Sequence, residues 1–210
     1  MPLKYACFIS YAHCKGKHVG PLIQAIHDEL MSQLAMHCAE EVYLDSARLL
    51  PGYEYNEALA AAICQSACMV VAYAPIYAHR DYCRREFAAM EQLVKRRKIL
   101  LGPHAHGHRF IIPLVLAGDI ASLPDRLKRT TQACDISTFT LNSRRLTNNT
   151  KFSEALKPVC QGILAAFNLL KNNQAQMDIA MDCADFSLPS TATSWAAIAP
   201  LPFPGREEAP

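Results

Sequence analysis

Hydrophobic residues occur along this chain in two alternating patterns that predict strands and helices. Short unbroken apolar runs are typical of strands that are buried on both faces of a sheet. The predicted strands cover residues 5–10, 41–45, 68–73, 110–116 and 133–138. Between these runs, apolar residues recur at the spacing of one helix face. The predicted helices cover residues 20–38, 55–63, 82–97, 123–132 and 151–170.

This alternation predicts an α/β fold with a parallel sheet and helices on both faces, because strands joined by helices form right-handed crossovers. Five strands in so short a chain favour the flavodoxin-like order 2-1-3-4-5, as a single domain over residues 1–171. In that order the direction of winding reverses between strands one and three, and ligands bind beyond the carboxyl ends of those strands. We therefore expect the residues after Ser10 and after Tyr73 to face a ligand, with the loop at residues 45–55 beside them.

Residues 172–210 have a different character from the rest of the chain. Residues 187–210 contain five prolines and little helical periodicity, which predicts a disordered tail that can be removed without unfolding the domain. The only tryptophan of the chain, Trp195, lies in this tail. It is either an unstructured residue or an exposed apolar anchor for a partner.

Composition argues against several classes of protein. Apolar residues make up 51% and charged residues 19%, and the net charge of +2 provides no strong field for a nucleic-acid or membrane partner. Nine cysteines, none in C-x2-C spacing, and no secretion signal predict free thiols in a reducing cytoplasm. Residues 58–78 are uncharged, but Gln65 and Pro75 favour a helix followed by a strand over a membrane span.

Three segments together resemble the Toll/interleukin-1 receptor (TIR) domain family. They are FISYAH at residues 8–13, VYLDSARLLPGYEYNEAL at 42–59 and DYCRREF at 81–87, where Tyr82 takes the place of the family's tryptophan. The runs IIPLVL and LPDRL further along also resemble bacterial members. The resemblance extends over about residues 4–170 and does not include the tail.

The resemblance implies an enzyme that cleaves the bond between nicotinamide and ribose in NAD+, with Glu86 as the catalytic glutamate. NAD+ is then the substrate, and no further cofactor is expected. The nicotinamide is already cationic and departs neutral, so one carboxylate that stabilises positive charge on the ribose is sufficient. The alternative for Glu86 is a solvated carboxylate near a helix N-terminus, which is favourable in any protein.

Further residues near the three segments are candidates for substrate binding. They are Tyr11, His13, Asp45, Tyr53, Tyr55, Tyr82 and Cys83. For Tyr11 a place in the core is equally compatible, and for Asp45 capping of the loop is favoured over substrate contact. Tyr53 and Tyr55 either stack on a base or pack the loop. Arg84 and Arg85 form a solvated face or reach a diphosphate.

Two basic segments are not predicted to bind a ligand. The loop at residues 102–109 holds three histidines at alternate positions, which we interpret as solvated, so no metal is predicted. The KRRK run at residues 95–98 is interpreted as a cluster of cations that stabilises the end of a helix.

By family analogy, the chain acts in bacterial anti-phage defence, where it depletes NAD+ or makes a cyclic signal for a separate effector, as in Thoeris systems. The resemblance also implies self-association through the BB loop, residues 46–55. The alternative is a non-catalytic module that assembles through TIR–TIR contacts as a scaffold or a mimic of host signalling. A flavodoxin-like phosphoacceptor is excluded because no acidic cluster follows strand one.

Overall fold

The computed structural model describes residues 3–13, 19–45, 54–128, 133–140, 146, 148–175, 182–190 and 195. Within these residues, five parallel strands form one sheet in the order β2-β1-β3-β4-β5. The strands are β1 Tyr5–Tyr11, β2 Glu41–Leu44, β3 Ser66–Tyr73, β4 Ile111–Val115 and β5 Cys134–Asp135. The predicted fold class and strand order are confirmed. All eight residues of β3 are buried, as expected of a central strand covered on both faces.

Five α-helices connect and cover the strands within the described part of the chain. They are α1 Val19–Leu34, α2 Glu54–Cys64, α3 Asp81–Leu101, α4 Asp125–Lys128 and α5 Thr150–Asn172. A 3-10 helix, Pro75–His79, joins β3 to α3. Helix α1 packs with α5, and α2 packs with α3, so the pairs lie on opposite faces of the sheet.

The helix bounds correct the sequence prediction at three ends. Helix α1 stops at Leu34, before the predicted end at residue 38. Helix α4 begins at Asp125, two residues after its predicted start, and residues 129–132 of that prediction lie outside the described part of the chain. Helix α3 continues beyond the KRRK run to Leu101. Residues 58–78 form the end of α2, β3 and part of the 3-10 helix. Among the residues described, no helix has both the length and the apolarity to cross a membrane.

The prediction that the chain beyond α5 is disordered is wrong for residues 182–190 and Trp195, which pack on the domain. Cys183 forms a disulfide with Cys64 at the end of α2, with a Cα–Cα distance of 5.8 Å. The expectation of free thiols is therefore wrong for these two cysteines. Phe186, Leu188 and Trp195 are at most 8% exposed. An irregularly spaced apolar segment can pack in extended form, and a covalent link reduces the entropy lost when it does so. Where the domain itself ends stays a prediction.

The interpretation of the KRRK run is wrong for Arg97. This residue is fully buried on the inner face of α3. Its guanidinium donates to the carbonyl oxygens of Cys64, Ser66 and Ala67, at 3.0, 2.8 and 2.8 Å. Arg97 thus ties α3 to the turn between α2 and β3.

Candidate active site

Glu86 lies at the reversal point of the sheet, on the face of α3 that packs against the strands. Cys83, Glu86, Phe87 and Met90 are buried on this face at positions i, i+3, i+4 and i+7, which is the spacing of one helix face. Glu86 is only 7% exposed. The alternative of a solvated carboxylate is therefore wrong, because the apolar spacing of α3 carries Glu86 inward with its neighbours.

Two hydroxyl groups connect Glu86 to the ends of the central strands. Ser10, near the end of β1, donates from its Oγ to Glu86 Oε2 at 2.5 Å. The same Oγ lies 2.7 Å from the hydroxyl of Tyr77 in the 3-10 helix after β3. The Tyr77 hydroxyl also lies 3.2 Å from the Cys83 carbonyl oxygen, to which it can donate. The chain of groups runs from Glu86 through Ser10 and Tyr77 to Cys83.

This chain can be satisfied in both protonation states of Glu86. When Glu86 is ionised, Ser10 donates to the carboxylate and Tyr77 donates to Ser10. When Glu86 is protonated, it can donate to Ser10, which then donates to Tyr77, which donates to the backbone at Cys83. Each hydroxyl has one proton and two lone pairs, so reversal requires only rotation of the two O–H bonds.

Burial makes Glu86 a weak acid. Loss of water raises the pKa of Glu86 from 4.5 to about 8, with the hydrogen bond from Ser10 acting to lower it and the nearby charge of Asp45 acting to raise it. At pH 7, roughly one Glu86 in ten is then ionised. The site therefore holds a carboxyl group that is close to its point of ionisation.

Tyr11, Asp45 and Cys83 are brought together next to Glu86. The Tyr11 hydroxyl donates to the Asp45 carbonyl oxygen at 3.1 Å, and Cys83 Sγ donates to the Tyr11 carbonyl oxygen at 3.5 Å. Asp45 is 6% exposed and Tyr11 is half-buried. Burial, followed by the charges of Asp45 and Glu86, raises the pKa of Tyr11 to about 12, so its hydroxyl remains a donor at neutral pH. These three residues join the loop ends of β1, β2 and α3.

The remaining candidates lie farther out or outside the described residues. His13 is exposed, with its ring 4.4 Å from that of Tyr11. Tyr82 is 41% exposed and donates to Asn56 Oδ1 of α2 at 3.0 Å. Tyr53 lies outside the described residues, and Tyr55 lies in the first turn of α2 with its side chain outside them.

Comparison with known families agrees with this geometry. A family model described as a TIR domain matches residues 7–147, which is more than half of the chain. This chain belongs to the TIR domain family. None of the curated proteins compared with it matches the chain.

The matched part of the TIR domain contains the whole Glu86 network and ends before α5. Ser10 and Tyr77 were not predicted as members of this network. In the sequence, Ser10 ends the first predicted strand, and Tyr77 lies between the third predicted strand and the helix predicted after it. The signal for Tyr77 was Pro75, which is favoured at the start of a helix and here begins the 3-10 helix.

Arg84 and Arg85 are partly buried and bind neighbouring groups, so they do not form a solvated face. Arg85 donates from Nε to the Pro189 carbonyl oxygen at 2.7 Å, and its guanidinium lies 5.2 Å from the centre of the Tyr82 ring. Arg84 pairs with Asp81 at 3.2 Å. Within the residues that the structure describes, no three histidine, cysteine or acidic side chains converge to hold a metal ion.

Proposed function

We propose that this TIR domain cleaves the bond between nicotinamide and ribose in NAD+, with Glu86 as the catalytic carboxylate. The observation that supports the proposal most is the position of a buried, weakly acidic Glu86 at the reversal point of the sheet. Carboxyl groups with strongly raised pKa values in such positions are typical of functional sites.

The positive charge of the substrate favours ionisation of Glu86. The nicotinamide of NAD+ is cationic, and a positive charge close to Glu86 lowers the pKa of its carboxyl group. Binding therefore favours the ionised carboxylate. The proton leaves to solvent, and the hydroxyls of Ser10 and Tyr77 rotate so that they donate toward the carboxylate. In the proposed mechanism the carboxylate then stabilises the oxocarbenium-like ribose as the bond to nicotinamide breaks. The bonding electrons go to the nicotinamide nitrogen, which leaves neutral without a general acid.

The product depends on the nucleophile that captures the ribose carbon. Water gives ADP-ribose and a proton, whereas attack by the adenine ring of the same molecule gives a cyclic product. We extend the proposal to bacterial anti-phage defence, with NAD+ depletion or a signal for a separate effector. The support for this extension is family analogy alone.

The test of the proposal is nicotinamide release by Glu86→Gln. This change keeps the size of the side chain and removes its charge, so we expect kcat to fall by about 10²–10³-fold or more, with little change in KM. Chromatography and mass spectrometry measure nicotinamide and the ribose product from purified protein and NAD+.

A matched control is Glu91→Gln, on the same helix. Glu91 is partly exposed and pairs with Arg126 at 3.5 Å, so its charge is remote from the proposed chemistry. Activity should be within about twofold of wild type, since surface ion pairs contribute little. Near-normal turnover in Glu86→Gln would show that Glu86 is not the catalytic carboxylate.

A second candidate function is a non-catalytic module that acts through TIR–TIR contacts. The observation in its favour is also the burial of Glu86, because a neutral, hydrogen-bonded carboxyl group can serve the fold alone. In that case wild-type protein releases no nicotinamide at any concentration, and Glu86→Gln assembles as wild type does.

TIR domains commonly self-associate, and we propose that this chain does so through the BB loop. The loop sequence contains Leu49, Leu50 and Tyr53, apolar residues that are costly to leave in water, although residues 46–53 lie outside the described structure. Specific activity should then rise with protein concentration. A dilution series with light scattering measures this, and constant specific activity from a monomer would contradict it.

A further inference from the structure

Residues 182–190 and Trp195, here called the C-terminal strap, return to the elements that carry the Glu86 network. The strap begins at the Cys183 disulfide to Cys64. Phe186 and Leu188 are buried, each 8% exposed. The strap lies outside residues 7–147, which the TIR domain model matches. Its contacts are therefore features of this chain beyond the matched part of the family.

Contacts from the strap lie on both sides of Glu86 along α3. On one side, Arg85 donates from Nε to the carbonyl oxygen of Pro189 at 2.7 Å. On the other side, the ring of Phe87 lies edge-to-face with Trp195 at 5.0 Å between centroids. The residues before and after Glu86 in sequence are thus both held by the strap.

Trp195 also contacts the second member of the network. Its ring lies 5.8 Å from that of Tyr77, and Trp195 is 6% exposed. Tyr77 is fully buried, and its hydroxyl lies 2.7 Å from Ser10 Oγ. Trp195 therefore packs against both the helix that carries Glu86 and the ring whose hydroxyl extends its hydrogen-bond chain.

We infer that the C-terminal strap is a positioning element of the catalytic site, and that Trp195 is the positioning residue that holds Glu86 and Tyr77 in register. The inference rests on the proposed function where it concerns turnover. Trp195 acts through the rings of Phe87 and Tyr77, which set the distances within the hydrogen-bond chain.

Loss of the indole ring has two separate physical consequences. A large cavity beside Phe87 and Tyr77 allows these rings to shift, and a misplacement of about 1 Å costs up to about 10²-fold in rate. Water that enters the space also solvates the Glu86 carboxylate, which lowers its pKa toward the ordinary value.

The pKa readout can be assigned to Glu86 because its titratable neighbours are known. Among the described residues they are Tyr11, Tyr43, Asp45, Tyr77 and Cys83. On the strap, the groups that contact Arg85, Phe87 and Tyr77 are an indole ring and a backbone carbonyl, neither of which titrates. A changed pKa therefore reports a change of solvation and geometry, not the loss of a charge.

The test compares Trp195→Ala with Trp195→Phe, which retains an aromatic ring. Ile99→Ala is the matched control, because Ile99 is on the same helix and 80% exposed. Carbon-13 NMR of labelled glutamate, assigned by difference from Glu86→Gln, gives the pKa of Glu86. Nicotinamide release at pH 9 gives kcat and KM where the carboxyl group is largely ionised in every variant.

For Trp195→Ala we expect the pKa of Glu86 to fall by at least about one unit. We also expect kcat at pH 9 to fall at least about tenfold, with KM within about twofold of wild type. Trp195→Phe should recover most of both quantities, and Ile99→Ala should match wild type. A folded Trp195→Ala with unchanged pKa and unchanged kcat would overturn the inference. If Trp195→Ala fails to fold, Trp195→Leu keeps apolar volume without the ring and is judged by the same two readouts.

The disulfide between Cys64 and Cys183 allows a second test of the inference. Cys183→Ser loosens the strap and should change the pKa and kcat in the same direction by smaller amounts, whereas Cys38→Ser, at a free thiol, should change neither. The pKa comparison does not depend on turnover. If wild-type protein releases no nicotinamide, the proposed function fails while the pKa of Glu86 still decides whether the strap positions it.

Discussion

Helix α3 carries a buried acid and a buried base on one face, Glu86 and Arg97, and their surroundings inside the protein differ. Glu86 lies near the amino end and Arg97 lies eleven residues later, about three turns along the helix. Glu86 is 7% exposed and Arg97 is 0% exposed. Both side chains are largely removed from water. The free-energy cost of ionising each one therefore depends on its hydrogen-bond partners and on nearby charges within the protein.

The difference lies in the hydrogen-bond partners. Arg97 donates to three backbone carbonyl oxygens, and although burial lowers its pKa to about 10, it is still cationic at neutral pH. Among the described residues, Glu86 receives one hydroxyl donor, and the charge of Asp45 opposes its ionisation. A buried charge that donates to several backbone carbonyl groups serves the fold. A buried acid that is incompletely solvated can change state when a cation arrives.

The largest expected effect is on the stability of the protein, when Arg97 is replaced. Arg97→Met should lower the free energy of unfolding by about 4–5 kcal/mol, because three buried carbonyl groups lose their donors. Urea denaturation measures the loss. Arg96→Met, at an exposed neighbour, should change stability by less than about 0.5 kcal/mol. Equal effects of the two substitutions would show that the carbonyl contacts of Arg97 contribute nothing.

The second effect is a difference between Glu86 and Arg97 in how they make the free energy of unfolding depend on pH. The pKa of Glu86 is about 8 in the folded protein, against about 4.5 when unfolded, so its contribution to stability is complete below pH 4.5 and is lost as the pH rises through 8. Between pH 5 and pH 9 the free energy of unfolding should fall by about 3–4 kcal/mol more in wild type than in Glu86→Gln. Arg97 contributes no such slope, since it is charged throughout this range.

Urea titrations of both proteins at several pH values measure this difference. Parallel stability profiles for wild type and Glu86→Gln would mean that Glu86 is ionised in the folded state at neutral pH. The contrast between Glu86 and Arg97 would then disappear.

The smallest effect tests the hydrogen-bond chain itself. Tyr77→Phe keeps the buried ring and removes the hydroxyl that reaches Ser10 and the Cys83 carbonyl. We expect a loss of about 1 kcal/mol in stability. We also expect a slight rise in the pKa of Glu86, because Ser10 loses the donor that polarises it toward the carboxylate. NMR titration measures the shift, and a lowered pKa would show that Tyr77 does not support the ionised state.

The strand order was predictable from the sequence, because each strand of a parallel sheet is a short apolar run and each crossover helix has its own period. The prediction that Glu86 is the catalytic residue rests on the DYCRREF segment, which does not predict that this side chain is buried. The same helical spacing that buries Cys83 and Phe87 also buries Glu86, yet a carboxylate is expected outside by default. Roles in substrate binding for Tyr11, His13, Asp45, Tyr82 and Cys83 stay predictions, as do those of Tyr53 and Tyr55.

The α/β fold, the strand order and the family can be predicted from the amino-acid sequence, since these depend on local periodicity and on short segments in a set order. Other features become visible only in the folded protein: the disulfide between Cys64 and Cys183, 119 positions apart, the inward position of Arg97, and the packing of Trp195 beside the Glu86 network. These contacts join residues that are distant in the chain and follow no local repeat. They arise because buried apolar and polar groups must find partners wherever the fold brings them together.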